Sequence, residues 1–304
     1  MKTTNPSILV LMSTYNGELY LPEQIESIMR QKDVNVSLLI RDDGSKDNTE
    51  NIVKQFQGKY PNRIDFYRGK NLGPAKSYLD LIKTAKNYEY YAFADQDDYW
   101  EKEKLNRAIS KIKDADNKNG KVYLSSLHLV DKDLNHISYS KIDKKITFEK
   151  EMIKNIATGC TMVFDHNLKE SISKLDVDYI TMHDSFVLRY AMLVGGFYYV
   201  DDKSFIKYRQ HGNNVLGMKS GFLSVWKDRW NRFVGSEKLS SKSAKELLRL
   251  KIDAPKEYTN FLTYLSDYAD NKKHKKILKK MDVFGKDDKT TQLLYRIKIQ
   301  FNKV

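Results

Sequence analysis

Three carboxylates fall within four positions at Asp95-Gln96-Asp97-Asp98, directly after the apolar run Tyr90-Tyr91-Ala92-Phe93-Ala94. Such a run reads as a buried strand that delivers acids at its carboxyl end, where open α/β sheets bind ligands. Acids this crowded repel one another and cost desolvation, so they call for a cation or a set of hydrogen-bond donors. A hard divalent ion, Mg²⁺ or Mn²⁺, suits oxygen ligands and bridges protein carboxylates to substrate phosphates. The competing reading is an acidic turn before the next helix, with Asp98 as the N-cap of a run that begins at Glu101.

Other polar clusters stand where they can join these acids. Asp42-Asp43-Gly44-Ser45 ends a second β-rich run, and Thr14-Tyr15-Asn16 follows a first. Three strand ends at one sheet edge make a nucleotide pocket in which Tyr15 packs on the base and Asp43 or Asp42 accepts from base or ribose. His211 sits in the polar loop Arg209 to Asn214; imidazole is a common ligand of Mn²⁺-type ions, and a lone loop histidine is also read as structural or exposed. Asp184, after His183 at the start of a helical run, is placed to serve as a general base toward an attacking hydroxyl or to cap the helix.

The elements that must position these residues alternate. Ser7 to Met12, Val36 to Arg41, Ile64 to Tyr67 and Tyr90 to Ala94 read as strands. Helical patterns follow the first three, through Leu21, Ile25, Ile28 and Met29, then Ile52, Val53 and Phe56, then from Pro74 toward Lys86. Four alternations in the first hundred residues argue for a parallel α/β sheet of nucleotide-binding topology. Glu101 to Lys113 reads as a helix, as does His183 to Val194. Strand signals at Val122 to Leu129 and beyond, Thr161 to Phe164, Phe197 to Val200 and Ser204 to Tyr208 make the middle of the chain mixed. Residues 1–218 form the expected catalytic domain, with a nucleotide half near 1–100 and an acceptor half near 101–218, and residues 219–304 a helical basic extension.

The chain has 304 residues and a net charge of +13. Residues 219–304 hold 21 Lys and Arg against 10 Asp and Glu, whereas residues 1–218 hold 32 against 30. Within the basic third, Phe222, Trp226, Trp230 and Phe233 share one helical face, and Lys272 to Lys280 is a dense lysine run. That pattern suits a helix lying on an anionic membrane surface; the alternative is a helix packed on the catalytic domain with a solvated basic face. Nucleic-acid binding would use the lysines but leaves the acidic loops without a purpose. A nucleotidyltransferase would carry a basic, Gly-rich phosphate loop after its first strand, and Ser13-Thr14-Tyr15-Asn16-Gly17-Glu18 has no Lys or Arg. The one cysteine, Cys160, excludes an intramolecular disulfide and a cysteine-built structural zinc site. Ile8 to Met12 is the longest apolar run and no signal-peptide layout opens the chain. The expected place is cytoplasmic, with a peripheral station at the inner face of the cell membrane.

Thr14-Tyr15-Asn16-Gly17, Asp42-Asp43-Gly44-Ser45, Asn71-Leu72-Gly73, Asp95-Gln96-Asp97-Asp98-x-Trp100, Thr158-Gly159-Cys160-Thr161, His183-Asp184 and Tyr208 to Asn214 occur in this order. In this the chain resembles family 2 glycosyltransferases over residues 7 to about 217, and most closely the bacterial rhamnosyltransferase-like branch that builds cell-surface polysaccharides. The resemblance implies an α/β GT-A fold, a Rossmann-like mixed sheet flanked by helices. It also implies an inverting, metal-assisted transfer from a nucleotide-sugar donor, first choice dTDP-rhamnose and second a UDP-hexose, to a hydroxyl of a glycan or lipid-linked glycan acceptor. No nucleic-acid partner is expected. Carried over by residue, Asp95 and Asp97 resemble the two acids of the DxD motif, with Asp97 on the metal and Asp95 nearer the ribose. His211 resembles the second metal ligand and Asp184 the catalytic base. Tyr15 and Asp43 resemble base contacts, and Thr14, Asn16, Asp42, Asn71 and Gln96 complete the expected donor site.

Overall fold

The computed structural model describes residues 5–210, 238–285 and 288–304. Ser7–Thr14 forms β1, and its unbroken run of buried apolar residues marks a strand covered on both faces. Leu21–Met29 (α1) turns Leu21, Ile25, Ile28 and Met29 inward and carries a proline in its first turn, where the missing N–H costs nothing. Asn35–Asp42 (β2), Thr49–Lys59 (α2), Ile64–Arg68 (β3), Gly73–Thr84 (α3) and Tyr90–Ala94 (β4) continue the expected alternation.

β4, β1, β2 and β3 are neighbours and all parallel, with Ile8 beside both Val36 and Tyr90, and Thr14 beside Asp42. The register therefore brings the ends of β1, β2 and β4, with the loops that follow them, to one edge.

The second half departs from a purely parallel sheet. After Tyr99–Trp100 (β5) and Lys104–Ile112 (α4) come Lys121–Ser125 (β6), Leu127–Val130 (β7), His136–Ser140 (β8) and Phe148–Lys154 (α5). A 3-10 turn at Gly159–Thr161 leads into Val163–Asp165 (β9), then His166–Ser173 (α6), His183–Leu193 (α7), Phe197–Asp201 (β10) and Ile206–Arg209 (β11). The large sheet runs β10-β6-β9-β4-β1-β2-β3, and β9 lies antiparallel between β4 and β6. A small second sheet, β5-β11-β7-β8, stands beside it.

Two sequence expectations need correcting. The helix expected from Glu101 begins at Lys104, and Asp98 does not cap it, because Tyr99 and Trp100 are held extended against Lys207 and Ile206 of β11. The strand expected from Thr161 starts at Val163, since the 3-10 turn takes up Gly159 to Thr161.

The core has one layer on each face of the sheet. α1, α2 and α4 cover one face through Ile25, Val53 and Ile109. α3, α5, α6 and α7 cover the other, and the C-terminal helices Leu239–Arg249 (α8), Lys256–Asp267 (α9), Lys272–Lys280 (α10) and Lys289–Gln300 (α11) join that layer. Leu247, Phe261, Tyr268 and Tyr295 are buried there, and the rings of Phe148 and Tyr258 lie 4.6 Å apart. The described C-terminal helices thus pack on the sheet domain, while α10 buries only Leu278 and leaves a lysine face in water. The segment with Phe222, Trp226, Trp230 and Phe233 lies outside the described residues. No helix among the described residues is long and apolar enough to cross a membrane.

Candidate active site

The strand-end loops converge on a cleft of about 450 Å³. Tyr15, Asp43, Asn71, Asp95, Gln96, Asp97 and Asp184 all line it. Gln96 clamps Tyr15: its Oε1 accepts from the Tyr15 N–H at 2.9 Å and its Nε2 donates to the Tyr15 carbonyl at 3.1 Å. The ring is held at the cleft with 46% of its surface exposed, available to stack on a base.

Asp43 is buried against Arg41 and accepts from the N–H groups of Leu72 and Gly73, both at 2.9 Å. Gly73 has φ +73, a conformation that glycine adopts without strain and that lets the 71–73 turn aim two donors at one carboxylate. Arg41 is itself fixed by Asp80 at 2.9 Å and the Lys70 carbonyl at 2.8 Å.

Thr14, Asn16 and Asp42 stand behind the cleft rather than in it. Asp42 is fully buried and accepts from Thr14 Oγ1 at 3.2 Å and the Ser45 N–H at 2.9 Å. Asn16 adopts φ 49 and accepts from the Lys46 N–H at 2.8 Å through its side-chain oxygen. These residues shape the loops that Tyr15 and Asp43 ride on.

The acidic turn divides inward and outward. Asp95 and Asp97 line the cleft, whereas Asp98 points into the protein and accepts from the Arg209 N–H at 3.2 Å. Burial, then the charge of Asp97, pushes the Asp95 carboxyl up to about 7, although the Tyr78 hydroxyl donates to it at 3.2 Å. Burial also holds Asp98 well above the usual carboxylate range. The ligand-type atoms of Asp95, Asp98 and Cys160 come within 4.8 Å of one another, but burial drives the Cys160 thiol upward, so it stays protonated. Arg209, itself buried, holds the turn from below by donating to the Asp97 carbonyl at 2.8 Å. His211 lies outside the described residues, two positions beyond Arg209 in the chain.

The donor set fits a hard divalent cation. Asp95 and Asp97 both present carboxylate oxygens to the cleft, the ligand type such an ion prefers; Asp95 is raised first by burial and then by the neighbouring Asp97 charge.

Asp184 does not cap α7, whose N-cap is Met182. Its Oδ1 accepts from the Ser185 N–H at 2.7 Å and its Oδ2 from the Gly159 N–H at 2.8 Å. Only 5% of the residue is exposed, and burial pushes its carboxyl up to about 6, with the nearby Glu151 adding to the rise and Arg189 opposing it.

Behind it lies a network that runs from buried groups out to the exposed Asn155. Arg189 donates to the Glu151 carbonyl at 2.9 Å and to the Asn155 side chain at 3.2 Å, Ser185 donates to the same Asn155 oxygen, and Glu151 accepts from the Ile156 N–H at 2.7 Å.

His183 was visible in the sequence only as a neighbour of Asp184. Its ring stacks on Tyr78 at 3.8 Å and meets Phe93 edge-on at 4.7 Å. Burial lowers it to about 3, so it is neutral throughout the working range. A Cβ at Gly159 would stand 2.5 Å from its Nε2, which explains the glycine. Tyr78, Tyr208 and Ser13 also line the cleft. Tyr78 sits in an ordinary amphipathic helix pattern, where no sequence signal separates it from a core tyrosine, whereas Tyr208 opens the Tyr208 to Asn214 motif.

The arrangement can stack a base on Tyr15, accept from it at Asp43, hold a cation-bound diphosphate at Asp95 and Asp97, and take a proton at Asp184. Comparison with known proteins gives the family and the fold. The family model for Glycosyl transferase family 2 matches residues 9–171. A dTDP-rhamnosyl transferase, RfbG of Shigella flexneri, is 33% identical over 234 residues, which cover 71% of this chain and 77% of that protein. Among solved structures, Staphylococcus aureus TarS 1-349 in complex with UDP-GlcNAc superposes with a TM-score of 0.55 at 17% identity, covering 96% of this chain and 81% of that one. The mannosyltransferase PcManGT of Pyrobaculum calidifontis, in complex with GDP-Man and Mn²⁺, gives 0.52 at 15% identity over 99% and 89% of the two chains.

Proposed function

The chain belongs to glycosyl transferase family 2, with a GT-A fold and a nucleotide-sugar donor, and from that premise we propose that it is a rhamnosyltransferase of cell-surface polysaccharide synthesis. Rhamnose from dTDP-rhamnose is the first-choice sugar, supported by the similarity to RfbG, and a UDP-hexose the second. The acceptor is a hydroxyl of a growing, lipid-linked glycan, and the anomeric centre inverts.

One observation carries the reading: a buried carboxylate, Asp184, lines the same cleft as the acid pair Asp95 and Asp97 and is held there by its own donors, the Ser185 and Gly159 N–H groups. An inverting displacement needs a carboxylate in the cleft besides those that meet the diphosphate, because the acceptor attacks opposite the leaving group. The acceptor oxygen forms the new bond to the anomeric carbon as the bond to the diphosphate breaks, and Asp184 takes the hydroxyl proton. Tyr15, Asp43 and Asn71 bind the nucleoside, and Gln96 holds Tyr15 in place for it. Asp95 sits nearer the ribose. Asp97, with His211, would hold a Mn²⁺ or Mg²⁺ ion. When bound, that ion neutralises the negative charge that develops on the departing diphosphate.

A panel of nucleotide sugars, scored for divalent-cation-dependent release of free nucleotide, tests the reading directly. dTDP-rhamnose is expected to lead. Asp184→Asn is expected to lower turnover by about 10²–10⁴-fold while UDP or dTDP with Mn²⁺ still raises the melting temperature. Loss of nucleotide binding together with turnover would show that Asp184 serves the fold instead.

A further inference from the structure

A second cavity, of about 400 Å³, lies beside the cleft and shares Thr158 with it. The volume falls in the range of ligand pockets, about 300–1,000 Å³. Its walls come from three remote parts of the chain. Ser140 ends β8, Lys150, Lys154 and Asn155 belong to α5 and its C-terminal cap, and Phe284 and Asp288 come from the C-terminal region.

The charges in the wall are already matched. Lys150 Nζ is 3.0 Å from Asp143 Oδ2, and Lys154 Nζ is 3.9 Å from Asp288 Oδ2. A phosphate entering here would compete with two carboxylates for those lysines. What the wall offers instead is a mixture of donors and acceptors, in lysine, carboxylate and hydroxyl groups, set beside the apolar surfaces of Leu127, Ile156 and Phe284. A sugar ring has the complementary form, with hydroxyls that donate and accept around its rim and C–H faces that pack on apolar side chains.

The cavity is also tied mechanically to Asp184. Asn155 caps α5 in the left-handed region, at φ 55 and ψ 72, and its side-chain oxygen accepts from Ser185 and from Arg189, both on α7. Ser185 directly follows Asp184. Asn commonly takes this conformation at a helix C-terminus, and here its side-chain bonds join the cavity wall to the start of α7.

We propose that this cavity is an acceptor subsite that holds one neutral sugar unit of the acceptor glycan and so presents the neighbouring hydroxyl to Asp184. The assignment rests on the transferase reading above, and it gives the C-terminal region a part in acceptor recognition through Phe284 and Asp288.

The test is saturation-transfer NMR on the full chain with UDP and Mn²⁺ present. The probes are methyl α-L-rhamnopyranoside, methyl β-D-galactopyranoside and methyl N-acetyl-β-D-glucosaminide at millimolar concentration. At least one glycoside is expected to receive saturation from the unmodified protein. Ser140→Trp fills the cavity from an exposed position and is expected to abolish that signal, while the thermal shift produced by UDP and Mn²⁺ persists. Lys154→Glu, on an exposed side chain, is expected to weaken the signal at least threefold and guards against misfolding of the first variant. Failure of all three glycosides to bind, or a signal that survives both substitutions, overturns the assignment. Absence of a thermal shift with UDP and also with dTDP, each with Mn²⁺, in the unmodified protein would defeat the transferase reading instead, and the glycoside signals would still be scored on their own.

Discussion

At the scale of single residues, Asp184 makes the sharpest statement. Its carboxyl is raised to about 6 because burial penalises the charged form, and Glu151 adds to the rise. A base must be ionised to take a proton, so turnover is expected to rise with pH through about 6 and to level off above it. Neutralising Glu151 removes a charge that disfavours ionisation, and Glu151→Gln is therefore expected to move that acid limb to lower pH. A limb that stays in place, measured as kcat against pH, would separate Glu151 from the base. Stability runs the other way. The folded-state pKa lies above the ordinary value of 3.8, so the protonated group favours the fold fully below that value, and the benefit disappears as pH rises through about 6. At neutral pH, Asp184→Asn removes a buried charge that costs up to about 3 kcal/mol for a shift of this size, but the amide can accept only one of the two N–H bonds from Ser185 and Gly159, which costs about 1–3 kcal/mol, so the melting temperature is expected to change little. A group that hinders folding and serves turnover is the trade expected at an active site.

At the scale of elements, the site is built by turns that the strands deliver. The 3-10 turn at Gly159 matters twice, since its N–H holds Asp184 and its missing side chain leaves room for His183. His183 is wedged between Tyr78 and Phe93 and has little freedom to retreat. Gly159→Ala is accordingly expected to cost about 1–3 kcal/mol through overpacking and to lower kcat by displacing Asp184. Thermal unfolding and steady-state kinetics on the variant read the two effects separately. Unchanged stability would mean that the turn yields easily. The loop that carries Asp43 is held more firmly. Arg41 is buried and committed to Asp43, Asp80 and a carbonyl, and breaking such a buried pair costs about 3–5 kcal/mol.

At the scale of the whole molecule, the described C-terminal helices extend the core around the sheet, and exposed lysines stand on their outer side. Lys272, Lys273, Lys276 and Lys280 are exposed on α10. Near an anionic leaflet each would contribute about 1 kcal/mol, the scale of reversible docking. The full chain is expected to sediment with vesicles containing phosphatidylglycerol and not with neutral ones, and raised salt should release it. Replacing these four lysines with glutamate is expected to abolish sedimentation. Retention by the variant would remove α10 from the docking surface.

What the sequence determined by itself was the periodic part of this protein: apolar runs of strand length, each ending in polar turn residues, place Tyr15, Asp43 and Asp95 to Asp97 at one sheet edge whatever the rest of the chain does. The family was legible for the same reason, because its motifs sit in those turns. Only the tertiary structure decided which way each side chain faces. Asp42 and Asp43 are neighbours, yet one is used up inside its loop and the other reaches the cleft. Asp98 looks equal to Asp95 and Asp97 in the sequence but turns inward to Arg209, more than a hundred residues away. The insertion of β9 antiparallel, the wedging of His183, and the cavity that α5 shares with Phe284 and Asp288 all depend on contacts between remote segments. Local spacing carries no record of such contacts, since burial and partner choice are properties of the packed chain.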